Sequence, residues 1–274
     1  MKNKIKIKPP FKWAGGKGQL IEQFELLLPK KFDLYIEPFV GGGALFFNIL
    51  PSDAILIDLN FDVVNFYTVV KNDVEKLIDD LKTHRNEREY YYMMRSVSLD
   101  SLNSIQRASR FLYLNKTAYN GLWRVNKQGN FNVPFGRYKN PKILDEDNLR
   151  NVSLALRNVS IIWGDFSIAL DYAKSNTFVY FDPPYHPLSK TSNFTNYSGT
   201  FNVEDQIRLA ECFKLLDKRG CLLMLSNSNT PLVRQLYANY DVHIVRARRM
   251  INSKAEGRGE IEEIVVRNFS TSAG

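Results

Sequence analysis

The sequence predicts an α/β protein whose parallel sheet is interrupted by a mainly helical insertion. Three observations predict it. A strand–turn–helix–strand unit opens the chain, apolar residues take helical spacing through its middle, and apolar strands alternating with helices return after residue 158. In order, Asp33 to Phe39 reads as a short buried strand ending at Pro38, and Val40 to Gly43 as a turn. Ala44 to Leu50 is a helix stopped by Pro51, and Ala54 to Asp58 a second buried strand. A unit this short is a parallel βαβ with a right-handed crossover, and ligands bind beyond the carboxyl ends of such strands. Val63, Phe66, Tyr67, Val70, Leu77, Ile78 and Leu81 then have helical spacing, and Ile105 to Asn115 forms a further helix with Phe111, Leu112 and Leu114 inward. Lys116 to Asn140 is polar and aromatic, with Gly129 to Val133 as one arm of a hairpin.

The second α/β stretch starts with a strand at Val159 to Trp163 and a helix over Ser167 to Lys174. A strand from Thr177 to Asp182 leads into a polar loop, Pro183 to Thr200, and an amphipathic helix, Val203 to Lys218. Cys221 to Ser226 is a buried strand and Pro231 to Asn239 a helix, while Val242 to Arg246 and Glu262 to Arg267 pair as an antiparallel hairpin at the sheet edge. The two α/β pieces join in one sheet. The expected organisation is therefore a discontinuous α/β domain, residues 1–61 and 159–269, an inserted domain, 62–158, and a small polar tail, 270–274.

With 274 residues and 44% of them apolar, the chain buries a core without disulfides or metal staples. No apolar run approaches the roughly 18 residues of a membrane span, and the basic start lacks the apolar stretch of a secretory signal. Cys212 and Cys221 sit in apolar surroundings and read as core thiols in a reducing cytoplasm. Against 29 acids stand 37 bases, and the net charge of +8 favours a polyanionic partner. His84, His186 and His243 are not spaced as a metal site, so no metal is expected.

The glycines of Glu37-Pro-Phe-Val-Gly-Gly-Gly43 follow a buried strand and let backbone approach a ligand. Phe46 stands where a dinucleotide fingerprint places its third glycine, and Asp58 closes the next strand where an acid accepts from ribose hydroxyls. The pair suggests a nucleoside cofactor without a pyrophosphate; a plain turn and a capping aspartate is the competing reading. Phe11-Lys-Trp-Ala-Gly-Gly-Lys17 resembles a phosphate-binding loop but lacks its first glycine and its Ser or Thr at Gly18, leaving a ligand-facing loop or a basic arm. Asp182-Pro-Pro-Tyr185 is the sharpest signal. Two prolines fix φ and withdraw donors at a strand end, so carbonyls and a carboxylate form a rigid acceptor array beside a flat ring. That suits a planar group bearing an exocyclic amine.

Together these segments, with Gly164-Asp-Phe166, Leu114 to Arg124 and Asn130 to Tyr138, resemble the Dam-type (D12 class) DNA adenine-N6 methyltransferases, in the family's order from about residue 9 to 269. The resemblance implies a Rossmann-like sheet that binds S-adenosylmethionine (AdoMet) and an insertion that reads double-stranded DNA. It places Trp13, Ala14, Gly15, Gly16, Lys17, Glu37, Phe39, Gly41, Gly43, Asp58, Asp165, Phe166 and Asp182 at the cofactor. Glu37 stands where many AdoMet enzymes have Asp. AdoMet carries no phosphate, which accounts for the two failed phosphate motifs. Asp182, Pro183, Pro184 and Tyr185 are implied to hold a flipped-out adenine, since a stacked base cannot present its amine to a buried donor. Tyr119, Asn120, Leu122, Arg124, Pro134, Arg137 and Tyr138 are implied DNA contacts, and GATC the implied target. Lys2, Lys4, Lys6, Lys8, Arg246, Arg248, Arg249, Lys254 and Arg258 are candidate phosphate contacts. The resemblance further implies a cytoplasmic enzyme, monomeric or weakly dimeric, that shares its site with a restriction endonuclease without touching it. The alternatives are an N4-cytosine methyltransferase and a nucleic-acid-binding protein with a decayed cofactor site.

Overall fold

The computed structural model describes residues 7–187, 201–248 and 260–270. The expected phosphate contacts Lys2, Lys4, Lys6, Arg249, Lys254 and Arg258, most of the polar loop 183–200 and nearly all of the tail lie outside them. The elements run α1 (Ile21–Glu25), β1 (Leu34–Pro38), α2 (Ala44–Ile49), β2 (Ala54–Asp58), α3 (Phe61–Leu81), α4 (Arg88–Ser96), α5 (Ser104–Thr117), α6 (Glu146–Ala155) and β3 (Val159–Trp163). They continue with α7 (Ala169–Tyr172), β4 (Thr177–Phe181), α8 (Val203–Lys218), β5 (Leu222–Ser228), α9 (Pro231–Leu236), β6 (Asp241–Arg248) and β7 (Glu260–Arg267). The chain divides into two compact units. The first comprises Met1–Gly16, Gly41–Leu50 and Asn60–Trp163, the second Lys17–Val40, Pro51–Leu59 and Gly164–Gly274.

In the second unit six strands take the order β2-β1-β4-β5-β7-β6. β1 pairs in parallel with β2 (Ile36 opposite Ile55) and with β4 (Ile36 opposite Val179), so the early and late α/β pieces do share one sheet. β2 and β4 are buried along their whole length, as strands covered on both faces must be. β6 and β7 form the expected antiparallel hairpin, but only β6 is at the edge: β7 inserts beside β5, with Ser228 opposite Glu263. The helix expected over Ser167 to Lys174 is instead a 3-10 turn, Phe166–Ile168, capped by the Asp165 side chain and followed by the single turn of α7.

The first unit has an aromatic core. The Phe11 ring meets Phe66 at 5.2 Å, Tyr67 at 5.6 Å and Phe111 at 4.9 Å, and Phe111 meets Trp123 at 4.4 Å. Offset and edge-on contacts of this kind add to the apolar area they bury. Asn60 caps α3, and Asn103 with Gln106 forms a capping box on α5. The helices α4 and α6 are not among the expected elements: each buries only one or two residues, Tyr91 in α4 and Leu149 and Val152 in α6. Tertiary contacts hold α4: Tyr91 is buried, and the buried Arg110 side chain donates to the carbonyls of Met94 and Arg95 at its C-terminal end. The expected hairpin arm at Gly129 to Val133 forms over a short span: Val125 and Phe131 bridge, the Asn126 N–H bonds the Asn130 carbonyl at 2.8 Å and the Asn132 N–H the Arg124 carbonyl at 3.0 Å, while the Asn126 carboxamide takes the Asn130 N–H. Phe111 lies at the centre of this core, so Phe111→Ala is expected to cost about 3–5 kcal/mol in urea unfolding; a loss below about 1 kcal/mol would refute its central place.

Candidate active site

The parallel strands of the second unit end along one edge. Asp182 follows directly on β4 and begins the proline-stiffened tetrapeptide. A buried amide pair supports that peptide from behind. Gln206 on α8 donates to the Pro184 carbonyl at 3.0 Å and accepts from Asn227 on β5 at 3.0 Å. The Asn227 carboxamide oxygen in turn accepts the His186 N–H at 3.2 Å, and the Ser228 hydroxyl donates to the His186 carbonyl. Both amides are almost fully buried, where an unmade hydrogen bond is costly, so the loop is held in one register. The Pro184 carbonyl is thus engaged, whereas no hydrogen bond to the Pro183 carbonyl is found among the described residues.

Three charges meet beside Tyr185. The Lys17 ammonium, only 4% exposed, lies 2.9 Å from Asp182 Oδ1 and 3.7 Å from Glu263 Oε2. It also sits 4.5 Å from the centre of the Tyr185 ring, a cation–π distance. The Tyr185 hydroxyl donates to Glu263 Oε2 at 2.6 Å. Burial pushes the Asp182 carboxyl up to about 6; Lys17 pulls against that rise and the Glu263 charge adds to it. Burial, followed by the charges of Asp182 and Glu263, also holds the Tyr185 phenol well above its ordinary range.

Nearer β1 and β2, Glu37 is buried and accepts the Tyr35 hydroxyl at 2.8 Å, and the Asp58 carbonyl accepts the Gly164 N–H at 3.0 Å. Phe39, at φ 65°, stacks on Phe166 with ring centres 5.5 Å apart. The two rings, with Leu59, Gly164, Asp165, Phe201, Asp205 and Arg208, line an open cleft. Arg208 grips Asp165 through both nitrogens, at 2.8 and 3.0 Å, and covers the Phe166 ring at 4.4 Å. Burial would raise the Asp165 carboxyl, but the Arg208 bonds and the Ser167 N–H outweigh it and hold it below the usual range.

The first unit carries the remaining candidates. Trp13 to Gly16 forms a turn closed by the Gly16 N–H on the Trp13 carbonyl, with Ala14 and Gly15 exposed. The Trp13 indole lies against Gly41, where an added Cβ would come within 2.4 Å of the ring and φ is +45°. Both facts require glycine there. Gly43 similarly faces Phe47 and the Tyr67 hydroxyl. Tyr119, Asn120, Leu122, Arg124, Pro134, Arg137 and Tyr138 share one braced loop. Tyr119 N–H bonds the Pro134 carbonyl at 2.9 Å, Gly136 N–H the Thr117 carbonyl at 2.8 Å, and the Tyr91 hydroxyl the Val133 carbonyl at 2.9 Å. Beneath the loop the Trp123 and Phe131 rings lie 4.6 Å apart, and Trp123 meets Phe111 of the aromatic core at 4.4 Å. Tyr119 is 53% exposed, and the Arg124 side chain is outward, aimed by Asn132 Oδ1 at 2.7 Å from its Nε.

A rigid acceptor array at a strand end, a ring beside it and an outward basic loop fit the alignment found with known proteins. Residues 13–251 match the family model for the D12 class N6 adenine-specific DNA methyltransferases. The chain belongs to that family. It is 48% identical over 97% of its length to the type II methyltransferase M.MjaIII of Methanocaldococcus jannaschii, covering 100% of it. It is 45% identical to M1.LlaDCHI of Lactococcus lactis subsp. cremoris, with 98% of each chain aligned. To the DNA adenine methylase of Escherichia coli K12 it is 38% identical, over 93% of this chain and 92% of that one. This protein is therefore an adenine-specific DNA methyltransferase with an α/β fold on a mixed sheet, and its family implies AdoMet as methyl donor. The second unit suits such a nucleoside: paired aromatic rings and a carboxylate line its cleft, and a nearly buried carboxylate, Asp58, closes β2 beside it.

Sequence reasoning missed Glu263, Arg208, Gln206, Asn227 and Asn132. Asn227 had a signal, since it ends an apolar strand on the ligand-binding edge of a parallel sheet. Glu263 had none, because only the register of β7 against β5 brings it there. Adenine N6 needs an acceptor, and a protonated carboxyl presents a donor instead. The single-turnover rate should therefore be level above about pH 7 and fall as Asp182 takes up a proton near its value of about 6, approaching tenfold per unit below it. A profile flat to about pH 5 would overturn the role of that carboxylate.

Proposed function

We propose that this methyltransferase modifies adenine N6 within GATC in double-stranded DNA, on a base flipped out of the helix. The observation that supports the chemistry best is the fixed tetrapeptide: Gln206 holds the Pro184 carbonyl, which leaves Asp182 and the Pro183 carbonyl to accept the two N6 hydrogens. Accepting both draws the nitrogen lone pair out of conjugation with the purine. Tyr185 stacks on the ring, and Asp182 afterwards takes the proton shed by the cationic product amine. Catalysis in this reading is positioning and electrostatics, with no metal in any step. Trp13, Ala14, Gly15, Gly16, Lys17, Glu37, Phe39, Gly41, Gly43, Asp58, Asp165, Phe166 and Asp182 hold the cofactor; bound AdoMet supplies a methyl group activated by its sulfonium.

Residues 62–158 read the DNA, and 1–61 with 159–269 carry the chemistry. Arg124 makes a bidentate contact to guanine O6 and N7, Leu122 and Pro134 meet the thymine methyl, and Asn120 bonds a base edge. Tyr119 fills the gap left by the flipped base, while Arg137 and Tyr138 engage phosphate. The relatives named as type II methyltransferases support a protective role opposite a cytoplasmic endonuclease that cuts the same site, with no contact between the two enzymes and this one monomeric or weakly dimeric.

Labelled AdoMet and duplexes altered at each base of GATC test the target. Transfer to the intact site alone is expected; equal labelling of every altered duplex ends the assignment. Arg124→Ala should lose about 1–3 kcal/mol of guanine discrimination, read as the ratio of kcat/KM on matched and altered duplexes, and an unchanged ratio moves guanine readout elsewhere.

A further inference from the structure

The tetrapeptide fixes the backbone at Tyr185, but a tyrosine still turns about two side-chain bonds. Two contacts set that rotation. The hydroxyl donates to the Glu263 carboxylate at 2.6 Å, and the Lys17 ammonium presses on the ring face from 4.5 Å. A hydrogen bond this short to an ionised acceptor is among the stronger ones in proteins. Glu263 reaches the site from β7, the one strand beside β5 that runs antiparallel to it, where the pairing of Ser228 with Glu263 puts a carboxylate at the edge where the parallel strands end. Glu263 also lies 3.7 Å from Lys17, which bonds Asp182 at 2.9 Å. Among the described residues one cation thus faces two carboxylates, and these three groups together carry an excess negative charge.

We propose that Glu263 is a positioning residue for methyl transfer: it locks the Tyr185 ring through the hydroxyl and leaves the cluster with the negative charge that a developing amine cation meets. The proposal rests on the reading of Asp182 and Tyr185 given above. A planar amine becomes cationic as the methyl arrives, and preorganised negative charge beside it lowers the barrier. Among the described residues, the charged groups facing Asp182 are Lys17, from the segment before α1, and Glu263, from β7. Tyr35 on β1 and Tyr180 on β4 also sense its charge; Glu37 is bonded to Tyr35, and Tyr180 to Ser226 on β5. Removing the Glu263 charge therefore makes Asp182 easier to ionise, whereas removing the Tyr185 hydroxyl leaves that charge in place.

Single-turnover methylation of a duplex that the wild-type enzyme modifies, measured from about pH 5 to about pH 8 for wild type, E263Q, Y185F, the double variant and D182N, tests this. E263Q should lower the plateau rate by about tenfold or more and move its acid limb to lower pH. Y185F should lower the plateau similarly without moving the limb, and the double variant should be no slower than the worse single one. E263Q with a wild-type plateau overturns the proposal, and so does a lowered plateau with an unmoved limb, which marks a merely structural role. Y185F cuts the same contact from the other side and decides alone should E263Q not fold: a wild-type plateau there is equally fatal. D182N separates the two readings, because a fully active D182N defeats the role of Asp182 itself, while an inactive D182N beside an unaffected E263Q defeats only the inference about Glu263.

Discussion

The face of the second unit where its parallel strands end depends on a nearly buried ammonium shared by two carboxylates. Removing Lys17 from water is expensive, and two partners with a ring face offset that expense. Without the lysine, Asp182 and Glu263 would be two like charges held in a partly dry site, and one of them would take up a proton. The cluster keeps Asp182 an acceptor near neutral pH in surroundings that would otherwise neutralise it. It also joins three distant stretches of chain, the loop before α1, the end of β4 and the middle of β7, at one point.

The first unit solves a different problem. A loop that presents polar groups outward has little apolar surface of its own, so its shape must be fixed from beneath. Trp123 and Phe131 are sunk into the aromatic core while Tyr119 and Arg124 remain outside. Backbone groups of the loop are tied to α5 and α4, through Thr117 and Tyr91. Rigidity on one side permits contact on the other without ordering a loose segment at the moment of binding.

Much of this was legible in the amino-acid order. Strands buried on both faces are mostly apolar, so β2, β4 and the Leu222 to Leu225 part of β5 stand out, and the tetrapeptide after β4 declares itself by two prolines at a strand end. The long helix α3 shows its 3.6-residue spacing plainly. What stayed hidden depends on partners far away in sequence. The α4 stretch of three consecutive tyrosines has no evident face until Arg110 and Val133 are in place. The hairpin near Gly129 stays short, and one asparagine side chain takes the Asn130 N–H beside its turn. Glu263 looked like one of several alternating charges in an edge hairpin.

The placement of Glu263 makes the site sensitive to one kind of genetic change and indifferent to another. Its position is set by pairing with β5 on one side and β6 on the other, so the stretch joining the hairpin's arms can gain or lose residues without displacing it. A single codon inserted in β7 between Glu263 and Arg267 is another matter. Side chains alternate faces along a strand, so with the end of the strand held the shift would move the acid out of its place opposite Ser228 and bring Ile264 there.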